Sequence, residues 1–155
     1  KQLGEKAAAK ELGALLDGPF DAGPPGGWLF LPEPELHLGP KPDILAPDIV
    51  GWRRARVPDD FLAEEAPAHI ELAPDSVCEV LSPSNRRLDR TLKMSVYARH
   101  GVEHLWLVDP ADRTLEVYRR ADIGWLLVAT FEGDAVVRAE PFDAVPLELA
   151  GLWAL

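Results

Sequence analysis

The chain has 155 residues, 26 of them acidic and 16 basic, which gives a formal net charge of −10. Its length predicts a single domain over residues 1–155, and its acidity disfavours general nucleic-acid binding, although a local basic patch can lie on an acidic protein. No apolar stretch approaches the roughly 20 residues of a membrane helix, and the one cysteine, Cys78, is typical of a reducing compartment. We therefore expect a cytoplasmic protein with no membrane partner.

The first half of the chain predicts one helix followed by short strands. An apolar stripe indicates the helix, and Asp17-Gly18-Pro19 ends it. A loop rich in glycine and proline then leads to strands interrupted by prolines. The predicted elements are a helix at 1–16, strands at 28–31, 36–38 and 48–52, and a charged connection at 53–74 with a helical turn near 61–65.

The second half predicts a strand, a helix, a strand parallel to the first, and then a meander. The helix between two strands is typical of a crossover connection between parallel neighbours. The predicted elements are a strand at 75–81, a helix from Ser84 or Asn85 to about His100 with an apolar stripe of Leu88, Leu92 and Val96, a strand at 104–108, and strands at 113–118, 125–130 and 135–138. This order predicts an α+β fold with a mixed sheet.

Two charged residues in this half indicate chemistry. Glu79 interrupts an apolar strand, where it shares a face with Val77 and Leu81 because side chains alternate along a strand. A carboxylate in that position must be paired, protonated or bound to a metal, since a buried unpaired charge is too costly. Lys93 is the only lysine after Lys41, and a lysine near a metal is a compact, tunable charge. Both features favour metal-assisted chemistry.

Several short motifs follow one another in a single order between about Glu35 and Pro110. They are Pro47-Asp48-Ile49-Val50, the run PDSVCEVLSPS from Pro74 to Ser84, then Asp89, Lys93 and Tyr97, and the run GVEHLWLVDP from Gly101 to Pro110. The combination resembles the Uma-two family of restriction-endonuclease-like nucleases. The resemblance implies a PD-(D/E)XK nuclease fold, in which helices flank a mixed central sheet. It also implies a site of two acidic groups and a lysine around one or two divalent metal ions.

The resemblance assigns roles to individual residues. Asp48 matches the first acidic ligand and Glu79 the second, and the resemblance adds Glu35 as a further metal ligand. The usual lysine lies two residues after the second acid, where this chain has Leu81. The resemblance therefore implies that Lys93, on the following helix, takes the role of the motif's lysine. The implied cofactor is Mg²⁺ or Mn²⁺, which takes hard oxygen ligands.

Other residues near these motifs are candidates for substrate contacts. Tyr97 lies one helical turn after Lys93 and could contact phosphate, as could Arg86 and Arg87. A structural reading remains open for Lys93, because Asp89 is four residues earlier and such a pair is ordinary on a helix surface.

Three function classes remain open from the sequence. The first is a metal-dependent endonuclease that hydrolyses phosphodiester bonds of DNA. The second is a non-catalytic homodimeric module that binds nucleic acid or another partner and keeps only the fold. The third is a different metal-dependent hydrolase using the same carboxylates. Nucleic acid, most simply DNA, is the expected partner, and the strand at 125–130 is a candidate for joining a second subunit in a homodimer.

Overall fold

A computed structural model of the protein describes residues 3–61, 68–122 and 124–153, and of Leu3 and Asp89 it describes only the backbone. Its centre is a six-stranded sheet with strand order β1-β4-β5-β6-β7-β8. The strands of this sheet are β1 (Trp28–Pro32), β4 (Ile49–Arg53), β5 (Ser76–Val80), β6 (His104–Asp109), β7 (Thr114–Ala121) and β8 (Gly124–Glu132). The predicted α+β class with a mixed sheet is confirmed.

Helices and two short hairpins surround the sheet. The helices are α1 (Leu3–Leu16), which continues as a π-helical segment (Asp17–Ala22), α2 (Arg86–Leu88), a second π-helical segment (Asp89–Lys93), α3 (Met94–Arg99) and α4 (Ala150–Trp153). The two-stranded sheets pair β2 (Leu36–Leu38) with β3 (Asp43–Leu45) and β9 (Val136–Val137) with β10 (Leu147–Glu148). A 3-10 turn at Arg54–Arg56 follows β4.

The pairing of β5 with β6 is parallel, whereas the neighbouring pairs in this sheet are antiparallel. The helical segment between β5 and β6 is the predicted crossover. Two parallel neighbours require such a connection, because the end of the first strand and the start of the second lie at opposite ends of the sheet. Cys78 and Val80 pack into the core under α1. Val77 and Leu81 pack on the other face with Tyr97. The predicted alternation along this strand is therefore confirmed, and Glu79 shares the face of Tyr97.

The predicted apolar stripe of the crossover helix is wrong for two of its three members. Leu88 and Leu92 are 47% and 60% exposed. The π-helical segment Asp89–Lys93 separates α2 from α3, so one regular helical period does not run through the whole crossover. Tyr97 is fully buried, and Lys93 Nζ lies 3.2 Å from Glu79 Oε2 on the sheet.

Smaller elements were not predicted from the sequence. These are β3, β10 and α4, each only two to four residues long, which is too short for a periodic pattern. The proposed helical turn near residues 61–65 lies almost entirely outside the described residues. Within the described ranges, no helix has both the length and the apolar character needed to cross a membrane.

Candidate active site

Asp48 and Glu79 lie opposite each other at one end of the central sheet. Ile49 pairs with Cys78 in the antiparallel register of β4 and β5, so the preceding residue, Asp48, falls opposite Glu79 on the same face. The Asp48 backbone N–H donates to Glu79 Oε1 at 3.2 Å, and the Val80 N–H donates to Asp48 Oδ2 at 2.7 Å. Each carboxylate is thus fixed by the backbone of the neighbouring strand.

The crossover helix supplies two further groups to Glu79. The Tyr97 hydroxyl donates to Glu79 Oε2 at 3.0 Å, and Lys93 Nζ lies 3.2 Å from the same oxygen. Asp48 and Glu79 are each 2% exposed and Tyr97 is fully buried, whereas 30% of the Lys93 side chain is exposed. The ammonium group therefore lies between the buried carboxylates and solvent, where a charged ligand can reach it.

This arrangement brings together the three predicted catalytic residues, Asp48, Glu79 and Lys93, with Tyr97. The alternative pairing of Lys93 with Asp89 concerns a side chain outside the described residues. Leu81, at the position where the motif usually has lysine, is 1% exposed in the apolar cluster with Val77 and Tyr97. A lysine at that position would have to bury its charge among apolar groups, so an amine from the helix is the better match to this core.

The charges of the site affect the pKa of Cys78, whose side chain lies on the opposite face of β5. Burial, followed by the negative charges of Glu79 and Asp48, raises the pKa of the Cys78 thiol well above its usual range. The thiolate is therefore scarce at neutral pH, and Cys78 is a core residue rather than a nucleophile.

We expect the Cys78 thiol to resist Ellman's reagent in the native protein at neutral pH, because it is buried and protonated. In urea the same protein should release one equivalent of chromophore, since the chain has one cysteine. A Cys78→Ser variant provides the blank. Rapid labelling of the native protein would contradict the burial of this strand.

The donor set at this site suits a hard divalent cation. Two carboxylates on neighbouring strands and on one face of the sheet provide oxygen ligands, and Mg²⁺ commonly takes only one or two carboxylates because it keeps waters and binds substrate phosphate. Among the described residues, no group of three or more His, Cys, Asp or Glu side chains is arranged to hold a metal ion. The pair formed by Asp48 and Glu79 fits Mg²⁺ or Mn²⁺ with phosphate and water as the remaining ligands.

Glu35 does not join this pair in the structure. Its side chain is 53% exposed, and its Oε2 lies 3.2 Å from His37 Nε2. The absence of a three-residue ligand group among the described residues agrees with this separation. The geometry therefore gives no support to Glu35 as a further metal ligand, because its carboxylate faces solvent beside an imidazole on β2.

Arg86 and Arg87 have different surroundings. Arg86 Nη2 lies 2.7 Å from Asp109 Oδ2, and the Asp109 side chain is 3% exposed. This ion pair ties α2 to the end of β6, so it explains Arg86 without a substrate. Arg87 is exposed and remains a candidate for a phosphate contact.

Sequence reasoning missed a groove beside Asp48. Lys6 and Lys10 of α1 line it together with Glu33, whose backbone N–H donates to the Asp48 carbonyl at 3.1 Å. Glu33 has a φ of 45°, which is uncommon for a residue other than glycine. The spacing of Lys6 and Lys10, four residues apart in a chain with few lysines, was the available signal.

Comparisons with known proteins bear on the fold and on the family. No curated protein matches the chain. A solved structure from Anabaena variabilis ATCC 29413, described as a "putative nuclease belonging to DUF820", is similar with a TM-score of 0.77 and 24% sequence identity, over 99% of this chain and 82% of that one. This likeness confirms the restriction-endonuclease-like fold. The model of the Uma2 family, described as "Putative restriction endonuclease", matches residues 5–150. The chain therefore belongs to the Uma2 family.

Proposed function

We propose that this protein is a divalent-metal-dependent endonuclease that hydrolyses phosphodiester bonds of DNA. The observation that carries the proposal is the buried pair of Asp48 and Glu79, with Lys93 Nζ 3.2 Å from Glu79 Oε2. Membership in the Uma2 family and the nuclease-like fold support the same reaction class. Two buried carboxylates close together are costly to keep in a folded protein, and binding a cation during catalysis would offset that cost.

Each residue has a distinct role in this proposal. Asp48 and Glu79 would hold Mg²⁺ or Mn²⁺ through carboxylate oxygens. When bound, the ion supplies a Lewis acid beside the phosphate and lowers the pKa of nearby water. Lys93 stabilises the negative charge that develops on the phosphate, because its ammonium is partly exposed and close to Glu79. Tyr97 positions the Glu79 carboxylate by donating to Oε2.

The cleavage test uses Asp48→Asn, which removes charge but keeps an oxygen to accept from the Val80 N–H. We expect the parent to cleave single-stranded or duplex DNA with Mg²⁺ or Mn²⁺ and to stop when EDTA is added. Asp48→Asn should lose roughly 100-fold or more of the rate, a typical cost for one group that stabilises the transition state. Gel-based cleavage of labelled DNA measures the difference.

Asp134→Asn is the matched control, because Asp134 is exposed in the turn after β8 and the substitution is identical. It should cleave as the parent does. Equal rates for Asp48→Asn and the parent would reject a metal role for Asp48. Far-ultraviolet circular dichroism of each variant checks that the fold is retained.

The second candidate is a non-catalytic homodimeric module. One observation favours it: β8 ends the six-stranded sheet among the described residues and exposes Leu126 and Leu127, which are 52% and 47% accessible. An open strand edge with exposed apolar side chains can pair with a second copy. Protein that is dimeric in sedimentation yet inert towards every DNA substrate would favour this candidate.

A further inference from the structure

A groove lies between α1 and the edge strand β1. Its volume is about 580 Å³, in the range of pockets that bind small ligands and too small for a duplex. Lys6 and Lys10 of α1 line it, Phe30 and Ile49 provide apolar surface, and Asp48 is also among the lining residues. The groove therefore combines apolar surface with two cationic side chains and three carboxylates.

Lys6 and Lys10 are available to bind an anion. Both are exposed, and neither forms an ion pair with any residue that the structure describes, although acidic residues outnumber basic ones in this chain by 26 to 16. They are four residues apart on one helix, which separates them by about 6 Å along its axis. Two unpaired ammonium groups at this spacing suit two neighbouring phosphates of one strand.

Three carboxylates also line the groove. They belong to Asp17, Glu33 and Asp48, and each repels phosphate. Phosphates are therefore expected to lie against the α1 wall at Lys6 and Lys10.

Asp48 connects the groove with that site. The Asp48 side chain accepts from Val80 on the strand that carries Glu79, while the Asp48 carbonyl accepts from Glu33 at the rim of the groove. Phe30 and Ile49 belong to the core on the α1 face, whereas Glu79 shares the opposite face with Tyr97. An extended ligand that passes the end of the sheet at Asp48 can therefore contact both faces of the sheet.

We propose that the groove between α1 and β1 binds a single-stranded segment of the DNA substrate beside the cleaved bond, with Lys6 and Lys10 on successive phosphates. The inference rests on the proposed function only in treating this strand as the substrate of the Asp48 site. The apolar surface contacts sugars and bases without reading their sequence, so binding is expected to be independent of sequence and strongly dependent on salt.

The test measures binding of a fluorescein-labelled oligothymidine by anisotropy in EDTA, where cleavage cannot occur. Lys6→Ala/Lys10→Ala should bind more weakly than the parent. The slope of log K against log salt concentration should become shallower by about 1.4, since each phosphate contact on a single strand contributes about 0.7. Lys41→Ala is the control for losing an exposed lysine outside the groove, because Lys41 is exposed in the turn between β2 and β3, and it should keep the parent slope.

A second variant tests the groove without changing charge. Ala14 lines the groove, so Ala14→Trp should fill it and weaken binding of the strand. Ala7→Trp is the control, because Ala7 is exposed on α1 but does not line the groove. Equal binding by Ala14→Trp and Ala7→Trp, or an unchanged slope for the double lysine variant, would overturn the inference.

A competition experiment separates a strand from free phosphate. Inorganic phosphate should displace the oligothymidine only at concentrations far above those of an unlabelled oligothymidine. Displacement at similar concentrations would indicate a site for single phosphate ions and would overturn the strand groove. If the parent cleaves DNA but the double lysine variant binds the strand normally, the groove proposal is rejected and the nuclease proposal is kept. If the double lysine variant loses strand binding but the parent cleaves no DNA, the groove proposal is kept and the nuclease proposal is rejected.

Discussion

Saturating Mg²⁺ or Mn²⁺ is expected to stabilise the parent protein, and Glu79→Gln is expected to lose most of that stabilisation. A ligand at 100 times its Kd adds about 2.7 kcal/mol to the free energy of unfolding, which for a chain of this length raises Tm by roughly 5 to 10 °C. Glutamine keeps an oxygen for the Asp48 N–H but removes the charge that attracts the ion. Differential scanning fluorimetry with and without metal measures both shifts.

In the absence of metal, Glu79→Gln is expected to unfold near the Tm of the parent. Relief of the repulsion between Glu79 and Asp48 offsets the loss of the ion pair with Lys93. Glu148→Gln is the matched control, because Glu148 is exposed on β10, and it should keep the full metal-induced shift. Equal shifts in the parent and in Glu79→Gln would mean that Glu79 is structural.

Lys93→Ala is expected to lower the cleavage rate by roughly 100-fold to 1000-fold while metal binding is largely preserved, because Lys93 acts on the charge of the transition state. Lys93→Arg should restore little of the rate, since guanidinium is planar and larger than the ammonium that lies 3.2 Å from Glu79 Oε2. Single-turnover cleavage measures the rate, and the metal-induced change in Tm measures binding.

Two other outcomes for Lys93 are informative. Parent-like behaviour of Lys93→Arg in every assay would reduce Lys93 to an ion-pairing role. If no variant cleaves DNA, and Lys93→Ala weakens DNA binding as much as substitutions at Arg86 and Arg87 do, the binding module is favoured over the nuclease. Lys41→Ala should match the parent in each measurement, since Lys41 is exposed and lies on the hairpin of β2 and β3.

The π-helical segment Asp89–Lys93 interrupts the helix for which the sequence predicted one continuous apolar stripe. A regular helical period predicted Leu88 and Leu92 on the buried face, yet both are exposed. Five residues in a wider turn shift the facing side chains, and periodic patterns assume a constant turn. Lys93 was found through its rarity and its family motif, neither of which depends on helix geometry.

Sequence alone determined the features that depend on neighbours along the chain. The alternation in residues 77–81 identified β5 and the face of Glu79, and an apolar run followed by a helix and another apolar run identified the parallel pair. The motif order also identified the family. The alternation is a local signal, because side-chain direction along a strand is fixed by its two-residue period.

Tertiary structure alone decided which distant groups meet. The register of β4 against β5 brought Asp48 opposite Glu79, whereas the Glu35 carboxylate lies beside His37 of β2. The packing of α1 against β1 created the groove that joins Lys6 and Lys10 to Asp48. No local pattern encodes these distances, because strand register and helix packing follow from burying the whole apolar surface at once.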